Sequence, residues 1–310
     1  MPSNKREVKE SDVKSLIRDA QITGIAKVGG QKVVVPISLN DRQLALKIVW
    51  IDKEVGLSSR EELDETVEFE EEALARVKRE VEILSEVDIS QLATLGPVPI
   101  ARGEIDDQPL IFYTEEWIDG ESIREIIDRG ELLSILEIVR LGRDMSLAIE
   151  WLWKRSKIHR DIKPSNVIRR SSGGFVLLDM GLTLDFADVS LTRAGVGVGT
   201  LPYFSPEQLD IGNKRNLDCR SDMYSLGLMM YEAATGRHPY YVNGMSSTET
   251  IIGIQNNKPL PPIEIRKELP ESLNDIILRL LEKVPHLRYR TCSRLIEALN
   301  GVDTKEKVIS

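Results

Sequence analysis

The sequence predicts an α+β protein of two lobes, in which a small antiparallel sheet precedes a larger helical part. Short apolar runs separated by glycines and by the turn Asn40-Asp41 fill residues 22–51, which is typical of strands and hairpins. After Asp119-Gly120 the apolar residues recur instead at helical spacing. The chain has 310 residues, 41% of them apolar and 29% charged, so it is long enough to bury a sizeable core.

Domain boundaries follow from changes in composition along the chain. A polar N-terminal tail is predicted for residues 1–14, with a short helix as the alternative because nearby apolar residues have helical spacing. The first lobe is predicted to span residues 15–118 and the second residues 119–302, followed by a tail of residues 303–310. The sequence contains no internal repeat.

Acidic residues dominate a segment of the first lobe, at about residues 52–72. We interpret it as an insertion that is solvated as a helix or mobile, rather than as an acidic recognition patch. An amphipathic helix is predicted for residues 73–87, since its apolar residues recur with a period of 3.6. Residues 99–118 are predicted to form two strands joined by a turn at Asp106-Asp107.

The second lobe is predicted to be mainly helical. Glycines and a proline cluster provide the stops between its segments. The segments with helical periodicity are residues 122–129, 132–153, 222–235, 248–256, 273–283 and 293–299.

Net charge and cysteine content limit the class of protein. The net charge of −9 argues against nucleic acid as the main ligand, because a phosphate backbone is bound by a basic surface. Cys219 and Cys292 are too few for a disulfide framework and fit a reducing compartment. The N-terminus lacks an apolar signal segment, and the apolar stretch 132–153 carries too many charges to span a membrane. We therefore expect a cytoplasmic protein without a membrane or nucleic-acid partner.

The strongest chemical signal is the string HRDIKPSN at residues 159–166, followed thirteen residues later by DMG at residues 179–181. On these residues the sequence resembles the eukaryotic-type (Hanks-type) protein kinases, specifically their Ser/Thr branch. The resemblance covers about residues 20–300. It implies a two-lobed protein-kinase-like fold, with a nucleotide-binding sheet lobe and a helical lobe for catalysis and substrate binding.

The resemblance implies roles for four residues of these two strings. Phosphoryl transfer requires a nucleophile held in line and neutralisation of the charge on the phosphates. Asp161 would orient the substrate hydroxyl and accept its proton, and Lys163 would contact the γ-phosphate of ATP. Asn166 and Asp179 would bind Mg²⁺, with Mn²⁺ as the alternative ion, since both side chains offer hard oxygen ligands.

The string LALK at residues 44–47 is similar to the strand that carries the phosphate-binding lysine of the family. By this resemblance, Lys47 would bind the α- and β-phosphates and would be held by a glutamate of the following helix. Glu80 fits the family spacing best, and Glu82 is the alternative.

The adenine site is implied by the same resemblance. The backbone of Glu116 and Ile118 would bond the base. The position that precedes this hinge is Glu115 or, with a slip of one residue, Thr114. The side chains predicted to sandwich the ring are Val33, Ala45 and Ile168.

The glycine loop departs from the family pattern. Gly24, Ala26 and Gly29 are the predicted phosphate-cradling positions, but Ala26 replaces the middle glycine and one extra residue precedes Val33. Glycines let backbone N–H groups approach phosphates closely. We therefore expect weaker or differently placed nucleotide, and an ordinary strand-turn-strand is the alternative interpretation.

Downstream residues extend the resemblance. The string GTLPYFSPE at residues 199–207 is similar to the end of a kinase activation segment, where Thr200 would bond Asp161 and Lys163. Glu207 would form a buried ion pair with Arg288.

Three further residues are given structural or regulatory roles. Asp222 would support the backbone of the catalytic loop at His159, with an ordinary helix N-cap as the alternative. Met180 replaces the usual phenylalanine and would fill the same pocket.

Regulation is predicted through the activation segment. Arg160 precedes the catalytic aspartate, and in kinases of this type that arginine pairs with a phosphorylated residue. Ser190 and Thr192 are the candidate autophosphorylation sites, and ordinary loop hydroxyls are the alternative.

We interpret the chain as a Ser/Thr protein kinase that transfers the γ-phosphate of ATP to protein substrates and also phosphorylates itself, with a homodimer as the arrangement for that step. Two alternatives stay open. The altered glycine loop would suit a pseudokinase that binds nucleotide as a scaffold. A small-molecule phosphotransferase is less favoured, because such enzymes lack the activation-segment string and the late arginine.

Overall fold

The computed structural model describes residues 7–29, 32–51, 60–180, 184–185, 201–210 and 217–304. Two compact units are present, each with its own core. The first comprises Met1–Asp88 and Ala93–Ile118, and the second Ile89–Leu92 and Asp119–Ser310. The predicted α+β class is confirmed, with an antiparallel sheet in the first unit and mainly helices in the second.

The first unit contains one antiparallel sheet and two helices within its described residues. The strands pair in the order β1-β3-β4-β6-β5, and β2 also pairs with β3. In chain order the elements are α1 (Glu10–Leu16), β1 (Gln21–Ile22), β2 (Lys27–Gly29), β3 (Lys32–Leu39), β4 (Arg42–Trp50), α2 (Arg60–Glu86), β5 (Ala101–Ile105) and β6 (Gln108–Glu116).

Two-residue turns fix the register of this sheet. Asn40 and Asp41 join β3 to β4, and Asp106 and Asp107 join β5 to β6, all with φ between 50° and 61°. Asn and Asp adopt this left-handed conformation more readily than other non-glycine residues, and two such residues in succession give the turn that suits a twisted hairpin. Both turns were predicted from the sequence at these positions.

One face of the sheet packs against α1. Val8 and Val13 are buried in an apolar cluster with residues of β3, β4 and β6. A Cβ built on Gly103 of β5 would lie 2.4 Å from Leu16 Cδ2, so the helix approaches the sheet too closely for a side chain there. The segment predicted as a polar tail therefore includes a helix that contributes to the core of the first unit.

The opposite face of the sheet packs against α2. This helix begins at Arg60, inside the predicted acidic insertion, and is longer than the helix predicted for residues 73–87. Residues 52–59 of the insertion lie outside the described part of the chain. Val77, Glu80 and Leu84 are buried and share one face of the helix, so a glutamate occupies the otherwise apolar stripe that faces the sheet.

The second unit is built around α4 and α6. Nearly every residue of α6 is buried, whereas α4 buries one face. Helices α9 and α10 pack against α6 and α4 respectively. The helices are α3 (Ile123–Asp128), α4 (Ile135–Lys154), α5 (Pro206–Leu209), α6 (Cys219–Thr235), α7 (Ser247–Asn256), α8 (Pro262–Ile265), α9 (Glu271–Leu280) and α10 (Cys292–Asn300).

Short strands complete the second unit and support the loop that follows α4. Strands β7, β9 and β10 form a three-stranded antiparallel sheet, and β8 pairs with β11. Their bounds are β7 (Gly120–Ser122), β8 (Lys157–Ile158), β9 (Val167–Arg170), β10 (Phe175–Leu177) and β11 (Leu184–Asp185). Among the described residues, no helix combines the length and the apolar character that crossing a membrane requires.

Candidate active site

Lys47 lies at the centre of a charged cluster on the α2 face of the sheet. Its Nζ is 3.0 Å from Glu80 Oε1 and also forms an ion pair with Glu115. All three side chains are almost fully buried. Because an unpaired buried charge is costly, the two carboxylates and the ammonium depend on one another.

The two glutamates considered as partners of Lys47 have different surroundings. Glu80 is only 2% exposed and points toward the sheet, whereas Glu82 is on the exposed side of α2. The position of Glu80 between Val77 and Leu84 on the buried stripe explains this difference.

Strand pairing settles which hinge residue shares the face of Lys47. Side chains alternate along a strand, and β4 pairs with β6 so that Ala45 is opposite Glu115 and Leu46 opposite Thr114. Glu115 therefore faces the Lys47 side. Thr114 faces away, and its Oγ1 accepts a hydrogen bond from the backbone N–H of Val98 (2.9 Å).

The glycine stretch folds with a register that differs from the predicted one. β2 pairs antiparallel with β3 so that Gly29 is opposite Lys32. Gly24 instead lies before β2, where a Cβ would be 3.0 Å from Pro36 Cγ.

Val33 is consequently misassigned as an adenine contact. It is opposite Ile48 in β4 and is buried in the apolar cluster against α1, on the face away from Lys47. Val34 is opposite Lys47, and Pro36 is opposite Ala45. The extra residue before Val33 shifts the strand by one position, and a shift of one exchanges the two faces.

The other predicted adenine contacts are distributed over both units. The Glu116 N–H donates to Thr94 O at 2.9 Å. Ile118 is buried at the end of the first unit. Ile168 is buried in the second unit, where it lies opposite Ser122 and Val176 in neighbouring strands.

Asp222 holds the catalytic loop of the second unit by its backbone. The N–H groups of His159 and Arg160 donate to the two carboxylate oxygens at 2.9 and 2.8 Å. Burial raises the pKa of Asp222, while the charge of His159 and these two hydrogen bonds oppose the rise. The N-cap of α6 is Asp218, so Asp222 is not the cap of that helix.

The held backbone has a strained conformation at one residue. Arg160 has φ 68°, which a non-glycine residue adopts only where its surroundings enforce it. The Gln208 side chain also donates to the Arg160 carbonyl, at 3.2 Å. Burial lowers the pKa of the Arg160 guanidinium, and the charge of Asp222 opposes this effect.

Asp161 is placed by the next turn of the chain. Its two carboxylate oxygens each accept a hydrogen bond of 2.9 Å from Lys163 Nζ. Asn166 Nδ2 donates to the same carboxylate at 2.9 Å and to the Asp161 carbonyl at 3.0 Å. The carboxylate is therefore fixed by two side chains of its own loop and is a candidate general base.

The residues predicted to bind the metal fit a magnesium ion in their chemistry. Because the Asn166 amide nitrogen is committed to Asp161, its oxygen is turned away from that carboxylate. Asp179 supplies a second oxygen donor, and its φ of 65° shows that the backbone is constrained there. Mg²⁺ is commonly held by one or two protein oxygens together with substrate phosphates.

The ion pair predicted downstream is present and buried. Arg288 Nη1 and Nη2 donate to the two carboxylate oxygens of Glu207 at 2.7 and 2.9 Å. The same guanidinium donates to the carbonyl groups of Arg220 and Glu282, so its charge is well satisfied.

The remaining predicted residues follow Asp179 in the chain. Met180 is fully buried. Thr200, Ser190 and Thr192 lie outside the described residues, so their predicted roles in the activation segment stay predictions.

Sequence reasoning missed Lys32 of β3. Its Nζ lies 2.9 and 3.2 Å from the two carboxylate oxygens of Glu80. The hairpin turn at Asn40-Asp41 sets a register in which Val34 is opposite Lys47. Lys32 is two positions from Val34 and therefore lies on the same face as Lys47, so the turn could have revealed it.

Comparison with known proteins identifies related chains. A "probable serine/threonine-protein kinase" of Clostridium perfringens is 29% identical over 232 residues, which are 75% of this chain and 32% of the relative. A protein of the same description from Clostridium acetobutylicum is 27% identical over 279 residues, which are 89% of this chain and 38% of the relative. The serine/threonine-protein kinase PknB of Mycobacterium tuberculosis is 30% identical over 189 residues, or 60% and 29%. The chain matches about a third of the length of these curated relatives.

The family model of the protein kinase domain matches residues 51–298. This match contains the catalytic loop with Asp161 and Asn166, the Glu207–Arg288 pair and Glu80. It begins directly after β4, so the assignment of Lys47 rests on the contact with Glu80 and on the strand resemblance. Most of the chain is covered by the match, and the chain therefore belongs to the protein kinase domain family.

Proposed function

We propose that this chain transfers the γ-phosphoryl group of ATP to the hydroxyl of serine or threonine residues in proteins. The observation that carries the proposal is the arrangement at Asp161, whose carboxylate is fixed by Lys163 and Asn166 at 2.9 Å. A carboxylate held in this way is oriented to accept a proton from a hydroxyl.

Each residue of the site has a role in the proposed reaction. Asp161 orients the hydroxyl and takes its proton while the new O–P bond forms and the bond to the leaving ADP breaks. Lys163 offsets charge beside the γ-phosphate, and Lys47, held by Glu80, binds the α- and β-phosphates. Asn166 and Asp179 would hold Mg²⁺, which would neutralise part of the phosphate charge.

Two observations favour a protein substrate over a small molecule. The relatives quoted above are described as serine/threonine-protein kinases. The second unit also contains the Glu207–Arg288 pair, which belongs to the features that distinguish protein kinases from small-molecule phosphotransferases of similar design. The proposed cellular setting is the reducing cytoplasm, where ATP is present and the two cysteines, both free, remain thiols.

The proposal is tested by measuring intact mass after incubation with Mg-ATP and a basic protein that offers serine and threonine. We expect phosphate increments on the added protein with the wild-type chain and none with Asp161→Asn. Asp19→Asn, which changes an exposed aspartate of the first unit, is the matched control and should retain the activity. Equal labelling by wild type and Asp161→Asn would refute the assigned role of Asp161.

Labelling of the chain itself tests the proposed autophosphorylation. Peptide mapping should find phosphate on Ser190 or Thr192, and a rate per molecule that rises with concentration would support a homodimer as the reacting arrangement. Binding of ATP without any transfer would favour the pseudokinase alternative.

A further inference from the structure

The charged cluster around Lys47 contains a second lysine and a second glutamate in addition to the Lys47–Glu80 pair of the proposed function. Lys32, Glu80, Lys47 and Glu115 are connected in that order, so that ammonium and carboxylate groups alternate. Glu80 is bound by both lysines, and Lys47 is bound by both glutamates. These four groups together carry two positive and two negative formal charges.

The geometry of the sheet brings these groups to one face. Lys47 is opposite Tyr113 in β6, and the Tyr113 ring centroid lies 5.7 Å from Lys47 Nζ and 6.0 Å from Lys32 Nζ. The two ammonium groups are therefore neighbours over one aromatic ring, which attracts cations. Glu80 reaches them from α2.

Because the cluster is mostly buried, an imbalance between its positive and negative charges has a large effect. The side chains of Lys47, Glu80 and Glu115 are 6%, 2% and 2% exposed, whereas that of Lys32 is 19% exposed. Burial raises the pKa of the Glu115 carboxyl, and the negative charge of Glu80 adds to this rise. The positive charges of Lys47 and Lys32 oppose it. Lys32 thus acts on Glu115 through space, although its direct partner is Glu80.

We propose that Lys32 is a positioning residue for the phosphate-binding lysine: Glu115 places a second carboxylate on Lys47, and Lys32 restores neutrality and holds Glu80 in place. The inference rests on the proposed role of Lys47 in binding the phosphates of ATP. Removing Lys32 leaves two buried carboxylates for one ammonium, which disfavours an incoming triphosphate. Removing the carboxylate of Glu115 as well returns the cluster to a balanced pair.

A double-mutant cycle tests the proposal, with KM and kcat for ATP measured at saturating protein substrate. We expect Lys32→Met to raise KM for ATP about tenfold with a smaller change in kcat. Glu115→Gln should lower KM, because it removes a carboxylate that competes with the phosphates for Lys47. The double variant should have a KM within about threefold of wild type, so the two changes are expected to be non-additive.

Additional variants separate positioning from folding. Lys32→Arg keeps the charge and should retain the wild-type KM, and the exposed Lys14→Met of α1 is the matched control. A double variant whose KM is at least as high as that of Lys32→Met would overturn the proposal. So would an unchanged KM in Lys32→Met, or a Lys32→Met effect confined to thermal stability.

Nucleotide binding distinguishes failure of this inference from failure of the proposed function. The dissociation constant of a fluorescent ATP analogue, titrated in the presence of Mg²⁺, should follow the same cycle even if no phosphate is transferred. A wild-type chain that binds the analogue without transferring phosphate would refute the proposed function alone. A wild-type chain that binds none would overturn both.

Discussion

Two buried ion pairs, Glu207–Arg288 of the second unit and Glu80–Lys47 of the first, differ in how their charges are satisfied. In the second unit the Arg288 guanidinium meets both oxygens of Glu207 and also donates to backbone carbonyls, while Ser221 donates to Glu207. In the first unit Lys47 contacts one oxygen of Glu80 at 3.0 Å and shares its charge with Glu115.

This difference separates a structural pair from one suited to binding. A planar guanidinium bonded to both oxygens of a carboxylate has fixed geometry and little capacity for a further ligand. A lysine is a point charge with rotatable donors, so it can exchange one carboxylate for a phosphate oxygen. We therefore expect the Glu207–Arg288 pair to contribute mainly to stability, whereas the proposed role of the cluster at Lys47 is ligand binding.

The largest expected effect is on stability, from Arg288→Ala. This change removes the fully buried guanidinium that pairs with Glu207, whose side chain is only 13% exposed, and breaking such a pair costs about 3–5 kcal/mol. Arg294→Ala is the matched control, because its pair with Glu297 is 71% and 69% exposed and should contribute about 1 kcal/mol or less. Denaturant unfolding measures both free energies. Equal losses in the two variants would contradict the comparison.

The next effect is on activity, from Glu80→Gln. Without the Glu80 carboxylate charge, Lys47 pairs with Glu115 alone and is no longer held in position for the phosphates. We therefore expect kcat/KM for ATP to fall about 10- to 100-fold. Glu82→Gln, on the exposed side of the same helix, should change kcat/KM by less than about twofold. Steady-state phosphorylation assays decide between the two, and a similar loss in both variants would contradict the assignment of Glu80.

The smallest effect is on the pH dependence of stability, and it has opposite signs at the carboxylates of Glu207 and Glu115. Burial raises the pKa of Glu207, but its bonds to Arg288 and Ser221 outweigh this, so the pKa is lowered. Stability from Glu207 is therefore present above the unfolded-state value of 4.5 and is lost as the pH falls through the lower folded value. The pKa of Glu115 is raised, so its contribution is present at low pH and is lost as the pH rises above 4.5.

Melting temperatures of Glu207→Gln and Glu115→Gln from pH 3 to 8 test these signs. The difference in free energy of unfolding between wild type and Glu207→Gln should shrink toward acid pH. The total change is about 1.4 kcal/mol for each unit by which the folded and unfolded pKa values of Glu207 differ. The difference between wild type and Glu115→Gln should change in the opposite direction. If the stability difference from wild type changed with pH in the same direction for both variants, the pKa shifts of Glu207 and Glu115 would not have opposite signs.

Much of the fold followed from local patterns. The turns Asn40-Asp41 and Asp106-Asp107 were located because these residues tolerate the left-handed conformation that a tight hairpin needs. The amphipathic helix was predicted to begin at residue 73, whereas α2 begins at Arg60, within the acidic segment for which a solvated helix was one of the two interpretations. The short helix α1 was treated mainly as a tail, although its Val13 is buried against the sheet together with Val8, which precedes the helix.

The site was predictable where chemistry is confined to a short string. Asp161, Lys163 and Asn166 lie within six residues, and their contacts follow from that spacing. Val33 was misassigned because a single extra residue exchanges the faces of a strand. The Asn40-Asp41 register could have placed Lys32 on the face of Lys47, but nothing local identifies the distant Glu80 as its partner.

The sequence by itself determined the family, the order of strands and helices, and the catalytic string, because periodicity, turn residues and motif spacing are local properties of the chain. Only the tertiary structure decided which charges meet, since Lys32 and Glu80 are 48 residues apart and Glu207 and Arg288 are 81 apart. Those contacts depend on strand register and on helices packing over the sheet or over one another. Burial then fixes how strongly each charge needs its partner.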